Sequence, residues 1–330
     1  MKTGLRIWMA AAVVTALALA GCGGGDGGQP ASITAGVISK IGSITVNGVE
    51  YQTKGARLRM PDDGIGKDNP VILDQPQTQL QEGMFVVVKG NTNGTTGTAT
   101  DIEFMDTMEG KVNEKSGTTL NVMGQFVAVD NSTRFVDNNG NAIGFANIST
   151  GRKVKVSGLA DNMGVLHATY VKQRTSAATA DQEFKGFVID TPTRAATTMQ
   201  LGLTPTAVTT ALTVNFSGLT LPSGLARGSF VAVKSTTGFN AQNEFVASSV
   251  SLVASMANEA ESAQIATREL SGYISLGSAA GFTVNGQGIV SNAQTTFTGG
   301  VAADIGPGKL VIVKGTLANG IITATRITIL

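Results

Sequence analysis

Thiols, imidazoles and indoles are almost absent from this chain of 330 residues, which has one cysteine, one histidine and one tryptophan. A single cysteine, Cys22, excludes an internal disulfide framework. A zinc site needs several His or Cys ligands, and Cys22 and His167 cannot supply them. A catalytic triad would need partners for His167, and no G-x-S-x-G elbow is present. His167, in "GVLHATYV", therefore reads as a surface or partly packed histidine. Charged residues are 14% of the chain, against about 25% in typical soluble domains. Aromatics are 5%, too few for the stacking platforms and basic groove that single-stranded nucleic acid requires. The exposed Trp or Tyr pair of a sugar site is not visible either. What is abundant is glycine, at 42 residues, with Thr, Ser and Asn taking the surface positions usually held by Lys and Glu. The apolar share of 42% is enough for packed cores, so the chain is not a disordered stalk.

The first thirty residues carry a location. Lys2 and Arg6 precede an uncharged run, Ile7–Ala20, that is shorter than the roughly 20 residues a membrane span needs and has the length of a signal-peptide core. It ends in Leu19-Ala20-Gly21-Cys22. These residues resemble the lipobox of bacterial lipoproteins. The resemblance implies that Cys22 receives lipid and becomes the first residue of the mature chain, with 1–21 removed. Several acyl chains anchor a soluble domain stably where one does not. Gly23, rather than aspartate, after the cysteine implies an outer-membrane destination. Gly23–Gly28 matches G-x-G-x-x-G, but no strand precedes it and no βαβ unit surrounds it, so 22–35 reads as a flexible tether. Loss of Lys2 and Arg6 leaves the basic side chains one fewer than the 23 acidic ones. No electrostatic argument for nucleic acid or anionic lipid survives that balance.

Internal repetition gives the architecture. "GMFVVVKG" from Gly83, "GRKVKVSG" from Gly151, "GSFVAVKS" from Gly228 and "GKLVIVKG" from Gly308 align. Two valines are fixed in each: Val86 and Val88, Val154 and Val156, Val231 and Val233, Val311 and Val313. The residue between them varies (Val87, Lys155, Ala232, Ile312), which is the period-two signature of a half-buried strand with its free face outward. Each is followed by a partner strand with a β-branched residue at one position: Ile102, Val171, Val250 and Ile327. Gly36, Gly110, Gly186 and Gly272 open the four copies, at intervals of 74, 76 and 86 residues. Asn47-Gly48 and Asn285-Gly286 signal tight hairpins. In the third copy an insertion, Thr191–Ala211, precedes the second strand, which starts at Leu212.

The spacing predicts an all-β chain of tandem small antiparallel OB-like β-barrels, since closure removes exposed edges. The expected boundaries are 36–107, 108–174, 184–253 and 271–330, with a linker at 174–183 and an alanine-rich helix over 254–270. The glycine-led first strand, Val46-Asn47-Gly48, the Leu80…Gly83-x-x-Val86-x-Val88-x-Gly90 strand and Ala99-Thr100-x-Ile102 resemble domain-of-unknown-function family 5666, found in bacterial envelope lipoproteins. The resemblance spans nearly all of 36–330 and is weakest in the third copy. It implies a fold and no catalytic residue.

Two carboxylate clusters are the remaining chemistry. Asp62, Asp63, Asp68 and Asp74 share one loop, and Asp130 and Asp137 lie near Asn139 and Asn141. Such oxygens can hold calcium, but neither cluster matches an EF-hand loop, and Asp and Asn are ordinary turn residues. Asp101, Glu103, Asp106 and Glu109 read as a solvated acidic edge. Phe85, Phe187, Phe230 and Tyr273 read as barrel core. The expectation is a lipid-anchored envelope protein, not an enzyme, without metal or cofactor. It would bind an envelope protein or polysaccharide through loops 54–79 and 130–148, multivalently. An enzyme or accessory protein acting on envelope polysaccharide is the alternative, and a calcium-stiffened surface stalk the third.

Overall fold

The computed structural model describes residues 31–60, 65, 70–175, 181–190, 197–206, 210–253 and 267–330. Every described element of regular structure is a strand, apart from short 3₁₀ turns such as Pro76–Gln79, Phe145–Asn147 and Ala302–Asp304. Cys22 and the tether residues up to Pro30 lie outside the described residues.

In the first repeat the strands are β1 (Ala31–Lys40), β2 (Ile44–Val46), β3 (Val49–Gln52), β4 (Arg57–Arg59), β5 (Val71–Ile72), β6 (Phe85–Asn93) and β7 (Thr96–Phe104). β1 pairs with β2, β2 with β3, β3 with β7 in parallel, β7 with β6, and β6 with β1. That circuit is a closed five-stranded barrel, antiparallel except at one seam. The second repeat repeats it with β8 (Met108–Ser116), β9 (Thr119–Val122), β10 (Gln125–Ala128), β12 (Lys153–Ala160) and β13 (Leu166–Gln173), while β11 (Arg134–Val136) runs beside β13. The third uses β14 (Gln182–Val188), β15 (Thr198–Gly202), β16 (Leu212–Asn215) and β17 (Phe230–Ser235), with a fifth strand broken into β18 (Phe245–Val246) and β19 (Ser249–Leu252). The fourth uses β20 (Thr267–Ser278), β21 (Gly281–Val284), β22 (Gln287–Val290), β24 (Leu310–Ala318) and β25 (Ile321–Ile329), with β23 (Thr296–Thr298) beside β25. The expected tandem OB-like barrels are present, and the third repeat closes like the others.

The eight paired valines are fully buried inside their barrels. Four hairpins turn where the chain takes φ > 0 at two successive residues, Asn47-Gly48, Met123-Gly124, Asn285-Gly286 and Asn319-Gly320, as a two-residue turn of this kind requires. Asn47 and Asn285 also donate to the carbonyls of Ala35 and Ser271, at 3.0 Å each. A 3₁₀ turn before the fourth strand delivers one buried apolar residue in three copies, Leu80, Ile148 and Ile305.

Several boundaries differ from expectation. The glycines Gly36, Gly110, Gly186 and Gly272 lie within their strands rather than opening them, and β1 takes in Ala31–Ala35, read above as tether. Residues 254–266 of the expected helix lie outside the described residues, and Thr267–Leu270 is strand, paired in parallel with Ser32–Ala35 of β1. The insertion in the third repeat holds β15, the second strand, so Leu212–Asn215 is the third strand. The tight hairpin turn has there been opened into a long loop, and the alignment slipped by one strand because "LTVN" keeps the same alternation. Of the 174–183 linker, 176–180 lie outside the described residues.

The barrels also share sheets. β1 joins β20, uniting the first and fourth barrels, and β8 joins β14, uniting the second and third. The second and third have one continuous apolar core. The first barrel's core takes in Val136 and Tyr170 of the second, and the fourth barrel's core takes in Ala35 of the first. All these ladders and cores lie within 31–330, so this stretch contains the elements that hold the fold.

One glycine in three of the four motifs has a further duty. Gly90, Gly158 and Gly315 each sit at a register shift in the pairing of the fourth and fifth strands. A Cβ there would collide with the carbonyl of Thr98, His167 or Thr323. Such bulges bend a strand enough to close a small barrel. The third motif has Ser235 instead, and there the fifth strand is broken. Gly315→Ala is expected to destabilise fragment 31–330 by about 1–3 kcal/mol, read as a lowered urea midpoint with unchanged slope.

Candidate functional site

The outer faces of the strands that carry the valine motif are largely withdrawn from solvent. At the free positions of the valine motif the chain has Phe85 and Val87, Lys153 and Lys155, Phe230 and Ala232, Leu310 and Ile312. None is exposed, and both lysines are buried. Phe85 and Val87 of the first barrel pack against the core of the fourth. Ser157 of β12 accepts from the Phe85 N–H and donates to the Met105 carbonyl, each at 3.1 Å. Thr169 donates to the Gly83 carbonyl at 2.6 Å.

Lys153, Lys155 and three further cations answer three buried carboxylates. Glu109 Oε1 receives Lys153 Nζ at 3.0 Å and Arg174 Nε at 3.2 Å, and its Oε2 stands 3.3 Å from Lys155 Nζ. Asp106 receives Lys185 Nζ at 2.5 Å. Glu183 faces Lys185 at 3.4 Å and Lys234 at 3.8 Å. The expected solvated edge is thus split. Asp101 and Glu103 are partly exposed and pair with Arg57 and Arg59. Asp106 and Glu109 are buried between barrels, because the strand that holds Glu109 has a neighbour over both faces.

These strands enclose a cavity of about 620 Å³. All four barrels supply its wall: Phe85 and Val87 from the first, Leu159 and Leu166 from the second, Phe187, Leu203 and Phe230 from the third, Leu270 and Val284 from the fourth. Asp106 and Lys185 are the charged residues of the wall. Its exposed lining residues, which mark the mouth, are Gly224, Gly228 and Leu252 of the third repeat and Asn285 and Gly286 of the fourth. Phe85, Phe187 and Phe230 are therefore residues between barrels rather than inside one. The Phe187 and Phe230 rings lie 4.8 Å apart. Tyr273 stacks on His167 at 4.8 Å, and the His167 Nε2 is 2.9 Å from Asp161, so the histidine is partly packed at a barrel contact, as expected. The signal for all this was present in the motif: apolar residues at positions that ought to be free.

The two expected contact loops do come together. A groove of about 390 Å³ is lined by Met60, Ile65 and Thr78 from one and Asn139 and Gly140 from the other, with Lys172 and Arg174. Gln81 closes one end by donating to the Gly140 carbonyl at 3.1 Å. Asp62, Asp63 and Asp68 lie outside the described residues, and Asp74 is exposed. The Asp130 carboxylate accepts from Ser132, and that of Asp137 from Asn139 and Asn141. These bonds hold both carboxyls below their ordinary range. Among the described residues no group of three or more His, Cys, Asp or Glu side chains is placed to hold a metal.

A family model described as a domain of unknown function (DUF5666) matches residues 32–103, 109–172 and 271–328, together more than half of the chain. The chain belongs to this family. The matches coincide with the first, second and fourth barrels, and the third carries none. No curated protein matches the chain.

Two outcomes follow from the charges. Lys155→Met leaves Asp106 and Glu109 short of a cation in a buried setting, which should cost about 3–5 kcal/mol, measured by urea unfolding of fragment 31–330. Glu269, buried on the ladder between the first and fourth barrels, has its pKa raised by desolvation despite Lys314 at 3.7 Å. A raised folded-state value means the native state binds the proton more tightly, so its stabilising contribution is present below about 4.5 and lost as pH rises through the folded value. Glu269→Gln should therefore lose less stability than the wild type between about pH 5 and pH 8, measured as the difference between their melting temperatures.

Proposed function

We propose that this is a lipid-anchored cell-envelope protein, held at the outer membrane through Cys22, whose four barrels act together as one non-catalytic binding body. The observation that carries the reading is the convergence of all four repeats on one cavity. Four weak copies of one site would leave each repeat with its own exposed face; here Phe85, Val87 and Phe230 of the first and third copies line one shared pocket, and Lys153 and Lys155 of the second are buried. A soluble body on a glycine-rich tether suits the capture of an envelope component close to the membrane.

Two measurements test this. Cells fed labelled palmitate should label the wild type and not Cys22→Ala, and the wild type should sediment with membranes. Fragment 31–330 should melt in a single calorimetric transition with equal calorimetric and van't Hoff enthalpies. Independent transitions for separate barrels would defeat the single-body reading, and an unlabelled wild type would defeat the anchor.

A further inference from the structure

We propose that the cavity shared by the four barrels is a binding site for one small, neutral, predominantly apolar molecule. The inference rests on the single-body reading above. The volume of about 620 Å³ lies in the range of small-molecule sites, about 300–1,000 Å³. The wall is built from the rings of Phe85, Phe187 and Phe230 with aliphatic side chains between them. Two ladders, β1 to β20 and β8 to β14, tie the barrels that line it to one another.

Charge selects the ligand class. Asp106 and Lys185, the charged residues of the wall, neutralise each other at 2.5 Å. An ionic ligand would lose its hydration and gain no counter-charge. A neutral ligand gives up little on entry and removes apolar wall from water. Ser229 and the exposed Asn285 line the pocket and can hydrogen-bond one polar substituent. The third repeat, in which the valine motif lacks its bulge glycine, and the Asn285-Gly286 turn of the fourth together supply the mouth.

The test is fluorescence titration of fragment 31–330 with N-phenyl-1-naphthylamine, a neutral apolar probe. The only tryptophan is Trp8, outside the fragment, so the protein background is low. The proposal expects saturable binding of one probe per chain, and at least about tenfold weaker binding of the anionic 1-anilinonaphthalene-8-sulfonate. Val87→Phe and Ala160→Phe each fill the cavity and should each weaken the neutral probe at least about tenfold, with melting temperature kept or raised. If one variant does not fold, the other and the stoichiometry still decide. Four probes per chain, equal affinity in a folded cavity-filled variant, or equal binding of the anionic probe would overturn it. A single melting transition without saturable binding overturns this site and leaves the single body standing; separate transitions overturn both.

Discussion

Glu109 and Glu183 lie directly opposite one another on the ladder that joins the second barrel to the third. Like charges facing across a ladder repel, and burial makes that worse. The juxtaposition holds because each glutamate has a lysine as its other neighbour: Lys155 stands opposite Glu109 and Lys234 opposite Glu183. The charged row therefore runs from β17 through β14 and β8 to β12, across the junction of two barrels. Removing the lysines would leave two buried carboxylates facing each other with less counter-charge on the ladder that joins the second and third barrels in one sheet. Without that sheet the third barrel loses its place on the cavity.

The same row explains how four similar domains find one arrangement. Phe85, Phe230 and Leu310 occupy one position of the motif, and apolar faces of this kind pack on one another with little discrimination. Lys153, in the second copy, does not. A face bearing two lysines is compatible only with a face bearing carboxylates; Glu109 and Glu183 come from β8 and β14, and Asp106 from the connection that leads into β8. The fourth barrel repeats part of the device: Glu269 stands three residues before Gly272 as Glu183 stands before Gly186, and each pairs with the lysine that follows its own valine motif, Lys314 and Lys234. In the fourth barrel the opposite partner across the shared ladder is Thr34, not a second glutamate, so a weaker counter-charge suffices.

What the residues made legible was the barrel, and what they hid was the space between barrels. Period-two alternation with fixed valines reports one buried face, and it did so in every copy. It says nothing of the other face, which was assigned to solvent by default. Phe85 and Val87, Phe230 and Ala232, and Leu310 and Ile312 contradict that default, because a solvated strand face does not carry two apolar residues at its free positions in three of four repeats. The acidic run misled for a related reason. Asp101 and Glu103 alternate with Ile102 and Phe104 on a strand with one wet face, while Glu109 lies on a strand covered on both sides. Strand number alone could not separate them. The third repeat slipped by one strand because "LTVN" satisfies the second and third positions of the hairpin equally well. Only the pairing of β15 with β14 resolves that. Met123 occupies the turn position that Asn holds in the first and fourth barrels and covers Gly110 with its thioether, so no turn signal marked that hairpin.

Divergence within the repeat follows the same physics. A barrel that only closes on itself needs the bulge glycine, the tight Asn-Gly turn and an unbroken fifth strand. The first and fourth have all three, and the second keeps the glycine and the strand. The third has dispensed with each and still closes, because β14 and β17 are held from outside by the ladder to β8 and by the core it shares with the second barrel. Stability supplied by a neighbour releases local sequence from the demands of closure. The released segments, the loop between β15 and β16 and the loop over 221–229, are those that reach the cavity through Leu203, Gly224 and Gly228. In this chain the barrel that gives up its own rules is the one that shapes the shared space.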